Sequence, residues 1–235
     1  MKLLIAILVS IFFSSCRFNG NFDGIQGSGN VITQARAHTE NFEKIQVNGG
    51  IQLVVEQSSE KSVIVEADDN IIAHILTKVE NGKLIIDSDH SYTTGKTPKV
   101  IVKLPIISGL EATSGSNIIN NGKLITEKIT VDSQSGSLID IEVEADFILI
   151  EATSGSTAAI SGKALKAETN SSSGSEINAR DLSANVVSSV ASSGSSTSID
   201  AIVKLNAKAS SGSSIDYKNT PKELKKEESS GGSVN

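Results

Sequence analysis

This chain of 235 residues has no tryptophan, one cysteine, one methionine, three prolines and an aromatic fraction of only 3%. Each shortage excludes something. A single cysteine rules out a disulfide within the chain, so the fold is held without covalent staples. So few rings argue against an aromatic-rich globular core and against a carbohydrate site built by stacking sugars on aromatic faces. Ile, Val, Leu and Ala must therefore fill the interior, which suits a narrow stacked core. Positive charge is also short: 21 Lys and Arg against 27 Asp and Glu give a formal net charge of −6. Binding of nucleic acid leaves a basic footprint, so nucleic acid is set aside as a partner. The three histidines, His38, His74 and His90, share no ligand spacing, and the expectation is three surface histidines with no metal cluster and no cofactor.

What the chain has in abundance is one phrase. Ser-Gly-Ser occurs at Ser114-Gly115-Ser116, Ser135-Gly136-Ser137, Ser154-Gly155-Ser156, Ser173-Gly174-Ser175, Ser193-Gly194-Ser195 and Ser211-Gly212-Ser213. The central glycines are 21, 19, 19, 20 and 18 residues apart. A period near 20 is the mark of a solenoid, whose units bury their apolar faces only by stacking on one another.

Fixed offsets from each glycine test this. Five residues before it stand Leu110, Val131, Ile150, Thr169, Ser189 and Ala207; three after it stand Ile118, Ile139, Ala158, Ile177, Thr197 and Ile215. Most are aliphatic or small. Four before it, by contrast, stand Glu111, Asp132, Glu151, Asn170, Val190 and Lys208. Inward and outward positions thus alternate on both sides of the glycine, as two short strands meeting at a corner require. Glycine reaches the backbone angles of a sharp bend, and small serines can stack on copies of themselves and bond along the stack. Segments such as Gly122-Lys123-Leu124 and Gly162-Lys163-Ala164-Leu165 supply a second corner and a third strand. Residues 108–217 are therefore read as β-helix coils, a rod on the order of 30 Å long at the usual strand spacing.

The segments before and after the repeat differ from it. Phe42–Val47, Ile51–Glu56, Val63–Glu66, Lys83–Asp87 and Lys99–Leu104 alternate or run apolar between Gly, Asn and Asp clusters, which predicts an irregular N-terminal β portion over residues 41–107. Asp69-Asn70 could cap a short helix through Ile71, Ile72, Ile75 and Leu76. The mixed-charge run Lys218–Glu228 reads as a solvated cap or short helix within a C-terminal cap or tail, residues 218–235. Ser229–Ser233 resembles one more, imperfect corner.

The chain opens MKLLIAILVSIFFSS before Cys16: one Lys, an apolar run from Leu3 to Phe13, then two small residues. That run is too short for a span of about 20 residues and reads as a secretory signal over residues 1–15. It resembles a bacterial lipoprotein signal, although Phe13 stands where the strictest form of the motif has Leu. The resemblance implies cleavage before Cys16 and acylation of its thiol. A membrane tether then follows, at roughly 0.8 kcal/mol per buried methylene. Residues 16–40 are expected to hold the lipidated cysteine and a Gly-rich flexible stalk leading into the first strand.

The phrases FEKIQVNGGIQLVV, GKLIID, KVIVKLP and LEATSGSNI, followed by the Ser-Gly-Ser corners, resemble the head GIN domain family of putative auto-transporter adhesins found in Bacteroidetes-type lipoproteins. The resemblance spans about Asn41 to Tyr217. It implies an all-β fold, a right-handed parallel β-helix with an irregular N-terminal β portion. It also implies a place in the bacterial cell envelope, with the outer membrane favoured, and no catalytic residues.

Three functions remain to be weighed. The first is a non-enzymatic envelope lipoprotein, an adhesin or interaction scaffold for a glycan or protein ligand. The second is a polysaccharide lyase or hydrolase, since paired acids on neighbouring coils suit glycoside chemistry and Glu111, Asp132 and Glu151 form such a row. That row lapses into Asn170, Val190 and Lys208, which favours an ordinary solvated strand face. The third is ice binding by a stacked hydroxyl array. Thr113 and Thr153 fit it, but Gln134, Ser172, Ser192 and Ser210 break it.

Overall fold

The computed structural model describes residues 24–38 and 40–235, so the signal sequence, Cys16 and the first part of the stalk lie outside the described residues. The described chain is nearly all β and winds into a parallel β-solenoid of about seven turns spaced about 19 residues apart, close to the expected 20.

The corners show how the repeat is built. Ser114 and Gly115 have φ of 56° and 72°, and the same pair of positive values recurs at every Ser-Gly-Ser site. Ser116 N donates to Thr113 O at 3.2 Å, closing a four-residue turn that has φ positive at both central residues, the requirement of a type I′ turn. Each central glycine then donates its N–H to the next corner. Gly115 N reaches Ser135 O at 3.2 Å, Gly136 N reaches Ser154 O at 3.2 Å, and the series continues through Gly174 N to Ser193 O at 3.1 Å.

The two serines of each phrase are not equivalent. The first is exposed, at the positive-φ position; the second is buried. The Ser156 hydroxyl accepts from Thr153 N at 3.1 Å and donates to Ser133 O in the preceding coil at 2.6 Å. Ser137 and Ser175 repeat the arrangement, donating to Ala112 O at 2.8 Å and Ala152 O at 2.7 Å. Ser137, Ser156, Ser175 and Ser195 thus fasten their turns to the preceding coil, and leaving such a buried donor unpaired would cost about 1–3 kcal/mol.

Between corners, Leu138–Thr153, Thr157–Ser171, Glu176–Ala191 and Ser196–Ala209 pair in parallel. Equivalent offsets become neighbours, so Val131, Ile150, Thr169, Ser189 and Ala207 line one buried column. Its two hydroxyl members satisfy each other, Thr169 Oγ1 donating to Ser189 Oγ at 2.8 Å. The second corner is a bend within these continuous strands. Pairing passes from Ala145–Ala164 to Phe147–Lys166, leaving Asp146 and Leu165 outside the ladder.

The solenoid begins earlier than the first Ser-Gly-Ser. Lys44–Val47 and Gln52–Gln57 stack in parallel on Gly109–Ala112 and Asn117–Asn120. Gly49-Gly50, with φ of 73° and 70°, takes the corner position, and Gly50 N donates to Ser114 O at 3.1 Å. Around this first coil the pairing is mixed. Ser62–Asp68 lies antiparallel to both Val31–Ala35 and Lys99–Leu104, and Ile75–Glu80 forms an antiparallel hairpin with Lys83–Ser88.

Three local expectations change. The helix expected from Asp69 is a single 3-10 turn, Ile72–His74, without a side-chain cap; Ile75 onward is strand because it pairs across the Asn81-Gly82 turn. The described end of the stalk is part of the fold. Ile25–Gln26 pairs with Tyr92–Thr93, and Asn30 Nδ2 donates to Asp69 Oδ2 at 2.9 Å. The charged run near the C-terminus is not helical: Glu223–Glu228 is a fully exposed strand, held by its register with Lys204–Ala209. Its Lys and Glu side chains guard what is otherwise an open sheet edge. Ser230-Gly231 completes a further corner, receiving Gly212 N at Ser230 O over 3.2 Å.

Candidate functional site

Glu111, Asp132 and Glu151 stand side by side because their strands pair in register, Glu111 with Asp132 and Asp132 with Glu151. The row continues through Asn170, Val190 and Lys208 to Glu227. Each carboxylate already has a partner. Both oxygens of Glu111 accept from Lys83 Nζ at 2.7 Å, Asp132 Oδ2 accepts from Gln134 Nε2 at 2.7 Å, and Glu151 Oε1 accepts from Asn170 Nδ2 at 3.2 Å. Burial raises the Asp132 carboxyl above the ordinary aspartate value; the Gln134 hydrogen bond opposes this, and Glu151 and Glu111 add to it. Asp132, Glu151, Asn170 and Val190 line a shallow groove of about 300 Å³ together with Gln134, Thr153 and Ser192.

This face carries acceptors and donors in a flat strip, three acids followed by an amide, an aliphatic residue and a base. It suits a polar macromolecular surface better than a small enclosed substrate, because ligand pockets surround most of what they bind. On another side, exposed Ile125, Leu165 and Ile202 line an open groove of about 400 Å³ near the second corner. That strip was not singled out in the sequence: Leu165 lies outside the regular alternation.

The Ser-Gly-Ser residues form the corner described above. Their first serines and glycines make an exposed ridge, while their second serines are buried. Cys16 lies outside the described residues.

Two of the histidines, which share no ligand spacing in the sequence, meet in the structure. His38 Nε2 bonds Thr77 Oγ1 at 3.0 Å, and its ring meets Phe42 edge-on. His74 and His90 converge: each places Nδ1 on the same oxygen, Asp89 Oδ1, at 2.9 and 2.8 Å. These hydrogen bonds hold the exposed Asp89 carboxyl below the usual aspartate range. The available signal was Asn81-Gly82, a hairpin dipeptide with φ of 52° and 74°, which sets the pairing that brings 74 opposite 89.

Comparison with known proteins places this architecture. Residues 41–221 match the family described as putative auto-transporter adhesin, head GIN domain. A putative adhesin from Bacteroides fragilis has the same fold, with a TM-score of 0.80, 22% identity, and coverage of 90% of this chain and 98% of its own. A putative lipid binding protein from Parabacteroides distasonis aligns with a TM-score of 0.72, 20% identity, and coverage of 90% and 98%. A putative adhesin from Parabacteroides merdae aligns with a TM-score of 0.73, 17% identity, and coverage of 89% and 97%. No curated protein matches significantly.

Proposed function

Since the chain belongs to the head GIN domain family of putative auto-transporter adhesins, we propose that it is a non-enzymatic adhesin or interaction scaffold of the bacterial cell envelope. In this reading Cys16 carries the lipid that tethers it, in the outer membrane, and the side of the solenoid is presented to a glycan or protein ligand. The observation that carries the reading is the in-register row from Glu111 to Lys208. A β-solenoid holds such a row rigid, so an extended ligand meets prearranged groups and little ordering entropy is lost on binding. The row changes from acid to amide to aliphatic to base along its length, which gives a surface with a direction. A repeated hydroxyl lattice has no such direction.

Binding of the full-length chain to an array of glycans and matrix proteins tests this. The expected result is a ligand whose binding falls when Glu151 and Asn170 are both changed to Lys, while a panel of acidic polysaccharides is left uncleaved. Cleavage of a polysaccharide that disappears in Asp132→Ala and Glu151→Ala variants would establish the alternative, a lyase or hydrolase. For the anchor, Cys16→Ala is expected to leave the membrane fraction; its retention there would remove the lipid from the proposal.

A further inference from the structure

At the open end of the hairpin formed by Ile75–Glu80 and Lys83–Ser88, three side chains converge in a way the adhesive reading does not use. We propose that His74, Asp89 and His90 form a binding site for a divalent transition-metal ion of borderline softness, with zinc as the expected occupant, ligated by the two Nδ1 atoms and Asp89 Oδ1.

The backbone dictates the convergence. Ile75 pairs with Ser88, so the next step out sets His74 opposite Asp89, and Asp89 N donates to His74 O at 3.3 Å. The chain then folds back, with Ser88 Oγ donating to His90 O at 2.8 Å, and this brings the His90 ring within 4.4 Å of the His74 ring, centroid to centroid. One ligand atom from each of the three residues falls within a 4.8 Å cluster.

Two of the three ligand spacings are close to those of a metal site. Ligands about 2.0–2.1 Å from a tetrahedral zinc lie about 3.3 Å from one another. The two N···O distances, 2.9 and 2.8 Å, need to open by only a few tenths of an ångström. Without metal, each Nδ1–H donates to the shared carboxylate oxygen; with metal, each neutral ring carries its proton on Nε2 instead, and the same three atoms supply lone pairs. Two imidazoles and one carboxylate suit zinc, nickel or copper, whereas calcium and magnesium prefer all-oxygen shells.

The frame is braced before any ion arrives. Arg36 Nη2 donates to Ile72 O at 2.7 Å and to Ile75 O at 3.3 Å, and His74 N donates to Ile71 O at 2.8 Å. The side chains of His74, Asp89 and His90 are 31%, 44% and 56% exposed, so an ion is reached from solvent. Three protein ligands leave a coordination position for water, or for a carboxylate or imidazole of a partner.

The test is calorimetric titration of zinc chloride into the full-length chain, purified without a polyhistidine tag and stripped with EDTA. Saturable binding of one zinc per chain is expected, weakened roughly tenfold or more by each of His74→Ala, Asp89→Ala and His90→Ala, following the 10–100-fold losses seen even for outer-shell partners. His38→Ala, which removes the remaining histidine, is expected to bind as the wild type does. In nitrogen-15 spectra of the wild type, zinc should shift the Nδ1 resonances of His74 and His90 and leave those of His38 in place. That readout does not depend on any variant folding. Absence of saturable binding, equal affinity in the ligand variants, or a shift confined to His38 would overturn the assignment, and calcium binding of equal strength would overturn the metal class. A failed ligand array leaves this site standing, and a failed zinc titration leaves the adhesive face standing.

Discussion

In the coils from Leu110 to Ser214, a residue's neighbour across the ladder is its own counterpart one repeat away. Among residues 41–107 Lys44–Val47 and Gln52–Gln57 still stack in parallel, but for Ser62–Asp68 and Ile75–Ser88 the neighbour is whatever the antiparallel register brings. Parallel stacking therefore places like beside like and builds columns: Val131 beside Ile150, Ser137 below Ser156, Asp132 beside Glu151. Antiparallel pairing places unlike residues together and builds constellations, as with His74 against Asp89 and His90. Extended surfaces come from the first kind of region and compact sites from the second. The Gly49-Gly50 corner, stacked on Ser114, joins the two.

The contrast can be stressed first through backbone geometry. Gly162 has φ +116°, and a Cβ there would lie 2.0 Å from Val143 O of the preceding coil. Gly162→Ala is expected to destabilise the protein by more than about 3 kcal/mol in urea unfolding. At Gly155, with φ +69° and nothing within 4 Å of a Cβ, alanine should cost only the left-handed strain of about 1–2 kcal/mol. Equal losses would mean that coil spacing is softer than the structure implies.

A cavity tests whether the two regions share one cooperative unit. Ile150 is fully buried, and Ile150→Ala should cost about 3 kcal/mol. In a solenoid the damage spreads to adjacent coils first, so hydrogen exchange should accelerate in Leu124–Gln134 and Thr157–Ser171 before it does in Ser62–Asp68. Simultaneous loss of protection in Ser62–Asp68 would erase the distinction.

The corner serines give a smaller difference that sharpens it. Ser156→Ala removes bonds both to its own turn and to the preceding coil, at a cost of about 1–2 kcal/mol in thermal or urea unfolding. Ser116 is buried, yet its hydroxyl has no partner among the described residues, so Ser116→Ala should be neutral or slightly stabilising. A loss at Ser116 as large as at Ser156 would show that the first corner is fastened like the rest.

The smallest effect is electrostatic. The folded Asp132 carboxyl titrates above its ordinary value of 3.8, chiefly because it is buried. A raised folded value adds stability that is fully present below the unfolded value and is lost as pH rises through the folded one. Ionised Asp132 is thus a liability at neutral pH. Asp132→Asn should raise the melting temperature by a degree or two at pH 7, and the gain should vanish near pH 3. A drop at pH 7 would indicate that the carboxylate is bound by a partner not seen in the row.

Much of this was legible in the chain. Six Ser-Gly-Ser phrases, with aliphatic residues at fixed offsets, specify a corner and an inward face whether or not the strands are seen, because stacking converts a sequence period directly into contact. The row of Glu111, Asp132 and Glu151 followed from the same period. Other features were obscured for identifiable reasons. Gly49-Gly50 lacks flanking serines and so did not read as a corner. Glu223–Glu228 faces solvent on every side chain and shows no apolar alternation; its strand character comes from backbone bonds to Lys204–Ala209 alone.

By itself, then, the sequence determined the repeat, the composition of the core and the identity of the corners, since these depend on local conformation and on one period. Only the tertiary structure decided that two histidines 16 residues apart share one aspartate oxygen, and that Lys83 holds Glu111. Those contacts depend on register across antiparallel strands and on side-chain bonds between distant segments. Neither leaves a period in the chain.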